Sequence, residues 1–223
     1  IQACKDSLVK NFVFSSTAAV YKSSKNKVTE KSTIQPKSVY GITKLKAEKI
    51  IIKNLKKQNI NYAILRYFNV VGASESKKIG PLKKNDTLFK NISISMFKKK
   101  IDIKIYGNNF NTKDGTCVRD YIHVADLSDI HIKILKKIEK LKKSIILNCG
   151  YGKGISVKQV VSAFIKISKK KANVIILKKR PADITSSIAD NRNLKSFIKW
   201  RPKFSNLDLI IKSCLNWEKK LLR

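Results

Sequence analysis

Tyr40 and Lys44, in the run Ser38-Val39-Tyr40-Gly41-Ile42-Thr43-Lys44, are spaced so that a helix would stack one above the other. An ammonium that close to a phenol favours the phenolate and draws the phenol's pKa down from about 10. A phenol so tuned takes a proton near neutral pH, which is what oxidation of a sugar hydroxyl asks of its base. The pattern Tyr-x-x-x-Lys also arises by chance in a lysine-rich chain, where it marks only a surface helix turn. The flanking segments decide between the two.

Upstream, Asn11-Phe12-Val13-Phe14-Ser15-Ser16-Thr17-Ala18-Ala19-Val20-Tyr21 reads as a short apolar strand running into a hydroxyl cluster. Downstream, a second strand, Tyr62 to Arg66, ends in Tyr67-Phe68-Asn69-Val70-Val71-Gly72. Buried parallel strands have this character, and in open α/β sheets ligands bind at the strands' carboxyl ends. Along the chain, periodicity and breakers predict helices to about residue 9 and over 38–58, 87–98, 125–139, 156–168, 191–198 and 206–222. Strands are predicted over 11–15, 61–66, 102–106, 145–149 and 173–178, with a long loop at 70–86. This alternation predicts an α/β fold with a parallel sheet under helical cover. Gly150-Tyr151-Gly152-Lys153-Gly154 is the one glycine cluster and reads as a tight turn after strand 145–149.

These segments together resemble the extended short-chain dehydrogenases/reductases, and within them the UDP-glucose (UDP-galactose) 4-epimerases. The resemblance rests on Phe14 to Tyr21, Tyr40 to Lys44, Leu65-Arg66-Tyr67-Phe68-Asn69 and Asp114-Gly115-Thr116-Cys117-Val118-Arg119-Asp120-Tyr121-Ile122-His123-Val124-Ala125-Asp126-Leu127, and it covers essentially the whole chain. It implies a Rossmann-like sheet plus a smaller mixed α/β substrate domain: residues 1–70 in the NAD-binding part, residues 71–223 mostly in the sugar-nucleotide part. It implies NAD as cofactor, a UDP-sugar as substrate, a homodimer with helix 38–58 at its interface, and a cytoplasmic setting. The implied reaction inverts carbon 4 of a UDP-hexose through a transient 4-keto sugar. Tyr40 is then the base, Lys44 tunes it and holds the nicotinamide ribose, and Thr17 bonds the sugar and relays the proton. By the same resemblance Phe68 lies against the cofactor, and Asn69 and Thr87 lie near the sugar-phosphate. Tyr106 lines the uracil pocket, Arg119 and Arg180 grip the diphosphate, and Asp183 contacts the ribose. His123 belongs to the motif and reads as a structural histidine.

The family's Gly-rich strand–turn–helix for pyrophosphate is not found in the sequence, so the resemblance implies that about a hundred residues lie upstream. Ile1 to Val9 has the character of a helix tail. Two departures bear on the pockets: Thr87 stands where many members carry Asn or His, and Lys22 follows Tyr21 where Gly is usual. Ser187 occupies a position that is a bulky tyrosine in members confined to UDP-glucose and UDP-galactose, which extends the expected substrates to UDP-N-acetylglucosamine. Ala18 and Ala19 stand where a 4,6-dehydratase would carry Asp-Glu, which disfavours elimination. UDP-glucuronate epimerases, 4-keto-sugar reductases and an inactive fragment are the alternatives.

With 49 basic and 15 acidic residues the formal charge is +34, which raises nucleic acid as a rival partner. Only six of the cations are arginine, and the lysines are scattered without aromatic platforms. Lys98-Lys99-Lys100 and Lys169-Lys170-Lys171 read as solvated helix ends. Cys4, Cys117, Cys149 and Cys214 show no metal or dithiol spacing, so no metal is called and reduced thiols are expected. No apolar run reaches the ~18 residues of a membrane span.

Overall fold

The computed structural model describes residues 1–82, 87–181 and 183–222. In chain order the elements are α1 (Gln2–Asp6), β1 (Asn11–Thr17), a 3₁₀ turn (Ala18–Val20), α2 (Val39–Lys57), β2 (Asn61–Tyr67), β3 (Asn69–Val71), α3 (Leu88–Ser95), β4 (Asp102–Tyr106) and β5 (Val118–His123). Then follow α4 (Val124–Leu141), β6 (Ile145–Cys149), β7 (Gly154–Ser156), α5 (Val157–Ser168), β8 (Asn173–Leu177), β9 (Ser186–Ser187), α6 (Arg192–Ile198) and α7 (Leu207–Leu221).

Strands β1, β2 and β6 form a parallel sheet in that order, with Phe12 opposite Tyr62 and Leu65 opposite Leu147. The period-2 alternation of β2 sorts its side chains between two cores. Ile64 packs with Ile51 and Leu55 of α2, whereas Ala63 and Leu65 pack with Ile130, Ile134 and Ile138 of α4. Helices therefore cover both faces, as a parallel sheet requires. A parallel β4–β8 pair and helices α3, α5 and α7 close over a separate core that contains Phe89, Met96, Phe164, Ile210 and Ile211. Between the two lie β3 and β5, parallel to each other; β5 also pairs antiparallel with β7 and parallel with β9.

Most predicted elements fall where periodicity put them, with four differences. Helix 87–98 is shorter, ending at Ser95, and the first helix spans only Gln2–Asp6. The 70–86 loop begins with strand β3, and its residues 83–86 lie outside the described residues. Strands β5, β7 and β9 were not foreseen. The glycine cluster does make the turn after β6, with Gly152 at φ +73°, but it leads into β7 before α5 begins. The two lysine runs are exposed just beyond the ends of α3 and α5. Among the described residues no helix is long and apolar enough to cross a membrane.

Candidate active site

The hydroxyl cluster sits at the carboxyl end of β1. Thr17 is the last residue of the strand and caps the 3₁₀ turn, its Oγ1 accepting a hydrogen bond from the Ala19 N–H at 3.1 Å. That bond uses the oxygen as acceptor and leaves the Thr17 O–H to donate elsewhere. Ser38 starts α2 by accepting from the Gly41 N–H at 3.1 Å, so Tyr40 emerges on the helix's first turn, half exposed. Gly41 is what lets this turn approach β1: a Cβ there would lie 2.5 Å from the Ala19 carbonyl oxygen. One turn on, the Lys44 ammonium donates to the Ser15 carbonyl at 2.9 Å and stands 5.8 Å from the centroid of the Tyr40 ring. Tyrosine and lysine share a face, as their spacing predicts, and the lysine is moored to the strand that ends in Thr17.

Thr17 and Tyr40 line one cavity of about 540 Å³, together with Phe68, Asn69, Thr87, Tyr106, Arg119, Arg180 and Asp183. Of the residues singled out from sequence, Lys44 and Ser187 do not line it. Lys44 lies behind Tyr40, against Phe14 and Ser15. Ser187 lies in β9 beside Arg119. Phe68 is buried at the β2–β3 junction, its N–H bonded to the Cys149 carbonyl, while the next residue, Asn69, is exposed. Thr87 precedes α3 and makes no side-chain cap bond.

The far wall carries the charge. Arg119 donates to the Val118 carbonyl at 2.9 Å. Arg180 is bonded twice to Asp183, at 3.1 and 3.3 Å, and its guanidinium lies 4.8 Å from the Tyr106 ring centroid. The Asp183 carboxylate holds the Arg180 guanidinium even more firmly charged than usual. Lys104 also lines the cavity, giving, among the described residues, three cations, Lys104, Arg119 and Arg180, against the single carboxylate of Asp183. That wall suits a polyanion such as a diphosphate. Sequence reasoning missed Lys104, although its place two residues before Tyr106 on the same face of β4 was there to be read. Cys117 lines the cavity as well, but burial pushes its thiol up, away from nucleophilic use.

Behind Val70, Val71, Thr87 and Phe89 lies a second cavity of about 300 Å³. It contains the buried Lys90–Glu218 pair and shares Thr87 with the first cavity, but is lined by none of Thr17, Tyr40, Arg119 or Arg180. His123, expected to be structural, is fully buried and stacked on Phe204 at 4.6 Å. Its Nδ1 accepts from the Ala125 N–H and caps α4, and its Nε2 lies 3.1 Å from Ser213 Oγ. Burial lowers its pKa, so it stays neutral. Asp120, also within the motif, accepts from the N–H groups of Tyr151, Gly152 and Ala189 and fixes the glycine turn. A Cβ on Gly150 would lie 2.7 Å from that carboxylate, so this turn is packed against protein and cannot cradle a pyrophosphate. By contrast, Tyr40 and Lys44, on α2 beside the carboxyl end of β1, and Phe68, just after β2, fit the nicotinamide and ribose portion of a dinucleotide.

Residues 1–150 match the family model described as the NAD dependent epimerase/dehydratase family. Over 221 residues the chain is 34% identical to a UDP-glucose 4-epimerase of Azospirillum brasilense, covering 98% of this chain and 64% of that one. It is 37% identical to a UDP-glucose 4-epimerase of Lactobacillus helveticus, covering 98% and 67%. The crystal structure of a UDP-glucose-4-epimerase from Stenotrophomonas maltophila with bound NAD and formylated UDP-arabinopyranose superposes with a TM-score of 0.94 at 31% identity, covering 100% of this chain and 67% of that one. The chain thus spans about two-thirds of the length of these relatives.

Proposed function

From the premise that this chain belongs to the NAD dependent epimerase/dehydratase family, we propose that the protein carrying it interconverts UDP-sugars epimeric at carbon 4, with UDP-glucose and UDP-galactose as the reference pair. The observation that carries this reading is that Tyr40 and Thr17, with Lys44 moored behind Tyr40 to the end of β1, share one cavity with the cations Lys104, Arg119 and Arg180. Bound NAD supplies the hydride acceptor. Tyr40 would take the proton of the sugar's 4-hydroxyl when that carbon is oxidised and give a proton back to the same oxygen when it is reduced. Thr17 donates its O–H toward the same sugar oxygen and relays the proton. Lys44, held by the Ser15 carbonyl, sets its side chain beside the phenol and would hold the nicotinamide ribose. Arg119 and Arg180 hold the diphosphate, Asp183 the ribose and Tyr106 the base, while Asn69 and Thr87 flank the sugar-phosphate. In this reading residues 1–70 serve the cofactor and residues 71–223 mostly serve the sugar nucleotide.

Ser187 brings a finer expectation. Ser187 stands next to Arg119 in the sheet, at the position that by the family resemblance is a bulky tyrosine in members confined to UDP-glucose and UDP-galactose, so UDP-N-acetylglucosamine is also a substrate in this reading. The test is incubation of the complete, NAD-loaded polypeptide with UDP-galactose and, separately, with UDP-N-acetylgalactosamine, followed by chromatography of the sugar nucleotides. Turnover of both is expected. Turnover of neither defeats the reading, and turnover of the first alone removes the acetamido extension.

A further inference from the structure

Three consecutive residues at the end of β1 meet three residues one helical turn apart on α2. The Ser15 carbonyl receives the Lys44 ammonium, the Ser16 hydroxyl donates to the Glu48 carboxylate, and Thr17 shares the cavity with Tyr40. The third rung is anchored from the sheet. Arg66 in β2 grips Glu48 with two bonds, Nε to Oε1 at 3.0 Å and Nη2 to Oε2 at 2.6 Å, and both side chains are buried. Arg66 Nη1 donates to the Tyr21 hydroxyl at 2.9 Å, and that hydroxyl donates to Asn148 Oδ1 in β6 at 2.7 Å. Through Glu48 the helix is therefore referenced to all three strands of the sheet and to the chain just beyond Thr17.

Stability alone does not call for such a pair. A buried ion pair pays heavily in lost hydration, and well-packed apolar residues commonly replace it at no loss. Ile51 and Leu55 already bury α2 against the sheet. Apolar contacts of that kind are non-directional, whereas a bidentate pair with a third bond from Ser16 fixes where the helix stands. Proton transfer is the step that notices: a misplacement of about 1 Å costs on the order of 10²-fold in rate.

We propose that Glu48, clamped by Arg66 and Ser16, is a positioning residue that sets the height of Tyr40 and Lys44 against Thr17. This rests on the epimerase reading for its kinetic expression, though not for its geometry. The experiment compares the complete, NAD-loaded protein with Glu48→Asp, which retracts the carboxylate by one methylene, and with the double variant Glu48→Leu/Arg66→Met, which fills the space without the clamp. Each is measured for melting temperature, bound NAD, KM and kcat with UDP-galactose. The expectation for the double variant is a folded protein with NAD content and KM within threefold of the parent and kcat lowered at least tenfold, with Glu48→Asp in between. A folded, cofactor-loaded variant with kcat within threefold overturns the proposal. If the double variant does not fold, Glu48→Asp decides by the same limits. If the parent turns over no UDP-hexose, the epimerase reading fails by itself. The ¹⁹F resonance of 3-fluorotyrosine replacing Tyr40 then carries the test. A shifted or broadened line in the variants supports positioning, and an unchanged line overturns it.

Discussion

Gly41→Ala separates the role of α2 as a helix from its role as the carrier of Tyr40. In a free helix the change would stabilise, because alanine is favoured over glycine by about 1 kcal/mol in the interior and by less in a first turn. Gly41 has no left-handed φ to protect, and the new residue would keep the N–H bonded to Ser38. The added methyl, however, would lie 2.5 Å from the Ala19 carbonyl oxygen and 3.0 Å from Pro36 Cβ. To reach the 3.4 Å at which ordinary contact begins, the helix must retreat by roughly 0.9 Å from the turn that follows Thr17. Overpacking of that kind costs about 1–3 kcal/mol, so the net change is a loss of roughly 0–2 kcal/mol where propensity alone foretells a gain. A retreat near 1 Å also pulls Tyr40 away from Thr17, for which on the order of 10²-fold in kcat is expected. The assay is thermal unfolding beside steady-state turnover of UDP-galactose. A variant with a raised melting temperature and unchanged kcat would refute the close approach of α2 to β1 as the device that assembles the site.

Tyr40→Phe removes the proton acceptor and keeps the ring; kcat with UDP-galactose should fall by about 10²–10⁴-fold while UDP binding, read by calorimetry, changes less than threefold. His123 is buried, and its pKa is depressed by that burial, so the unfolded chain takes up the proton first. Its share of stability is complete above the unfolded value of about 6.5 and drains away as pH falls from there toward the folded value. The urea midpoint should therefore drop between pH 7.5 and 5.5. In His123→Asn, which can still cap Ala125, that drop should shrink; an equal drop in both would remove His123 as its source. Lys90→Met strands the buried Glu218 carboxylate and should cost about 3–5 kcal/mol, most of it recovered in Lys90→Met/Glu218→Leu. Additive losses in that double-mutant cycle would contradict the pairing.

The part of the candidate site built on β1 and α2 was legible because its signals are local. The apolar run Phe12–Phe14, the hydroxyls after it, the Ser38 cap and the four-residue spacing of Tyr40 and Lys44 all act within one turn or one strand. Strand β5 escaped because Val118-Arg119-Asp120-Tyr121-Ile122-His123 looks too polar to be buried. It is buried nonetheless, since Asp120 is satisfied by three backbone N–H groups and His123 by Ala125 and Ser213, partners that only the tertiary fold supplies. Strands β7 and β9, three and two residues long, exist through their pairing with β5 and leave no periodicity to detect. Glu48 lies midway. Its position one turn beyond Lys44 was visible, but its meaning depended on β1–β2 pairing and on where that brings Arg66. Arg180 and Asp183 were each matched to a ligand group, and the structure pairs them with each other. In the proposed reading a nucleotide would compete with an existing ion pair, a relation that residue-by-residue matching does not carry.

The formal charge of +34 looked like the chain's loudest signal and is nearly silent about the site. At physiological ionic strength exposed charges are screened beyond about 8 Å, so lysines spread over helix ends contribute a diffuse attraction for any polyanion. Lys104, Arg119 and Arg180 differ because one cavity, shared with Tyr40 and Thr17, gathers them within reach of the same ligand. In the proposed reading, selectivity for a diphosphate over other anions would come from their convergence, since two planar guanidinium forks suit phosphate oxygens. The many lysines elsewhere can raise the encounter rate at low salt, but they cannot choose what is bound.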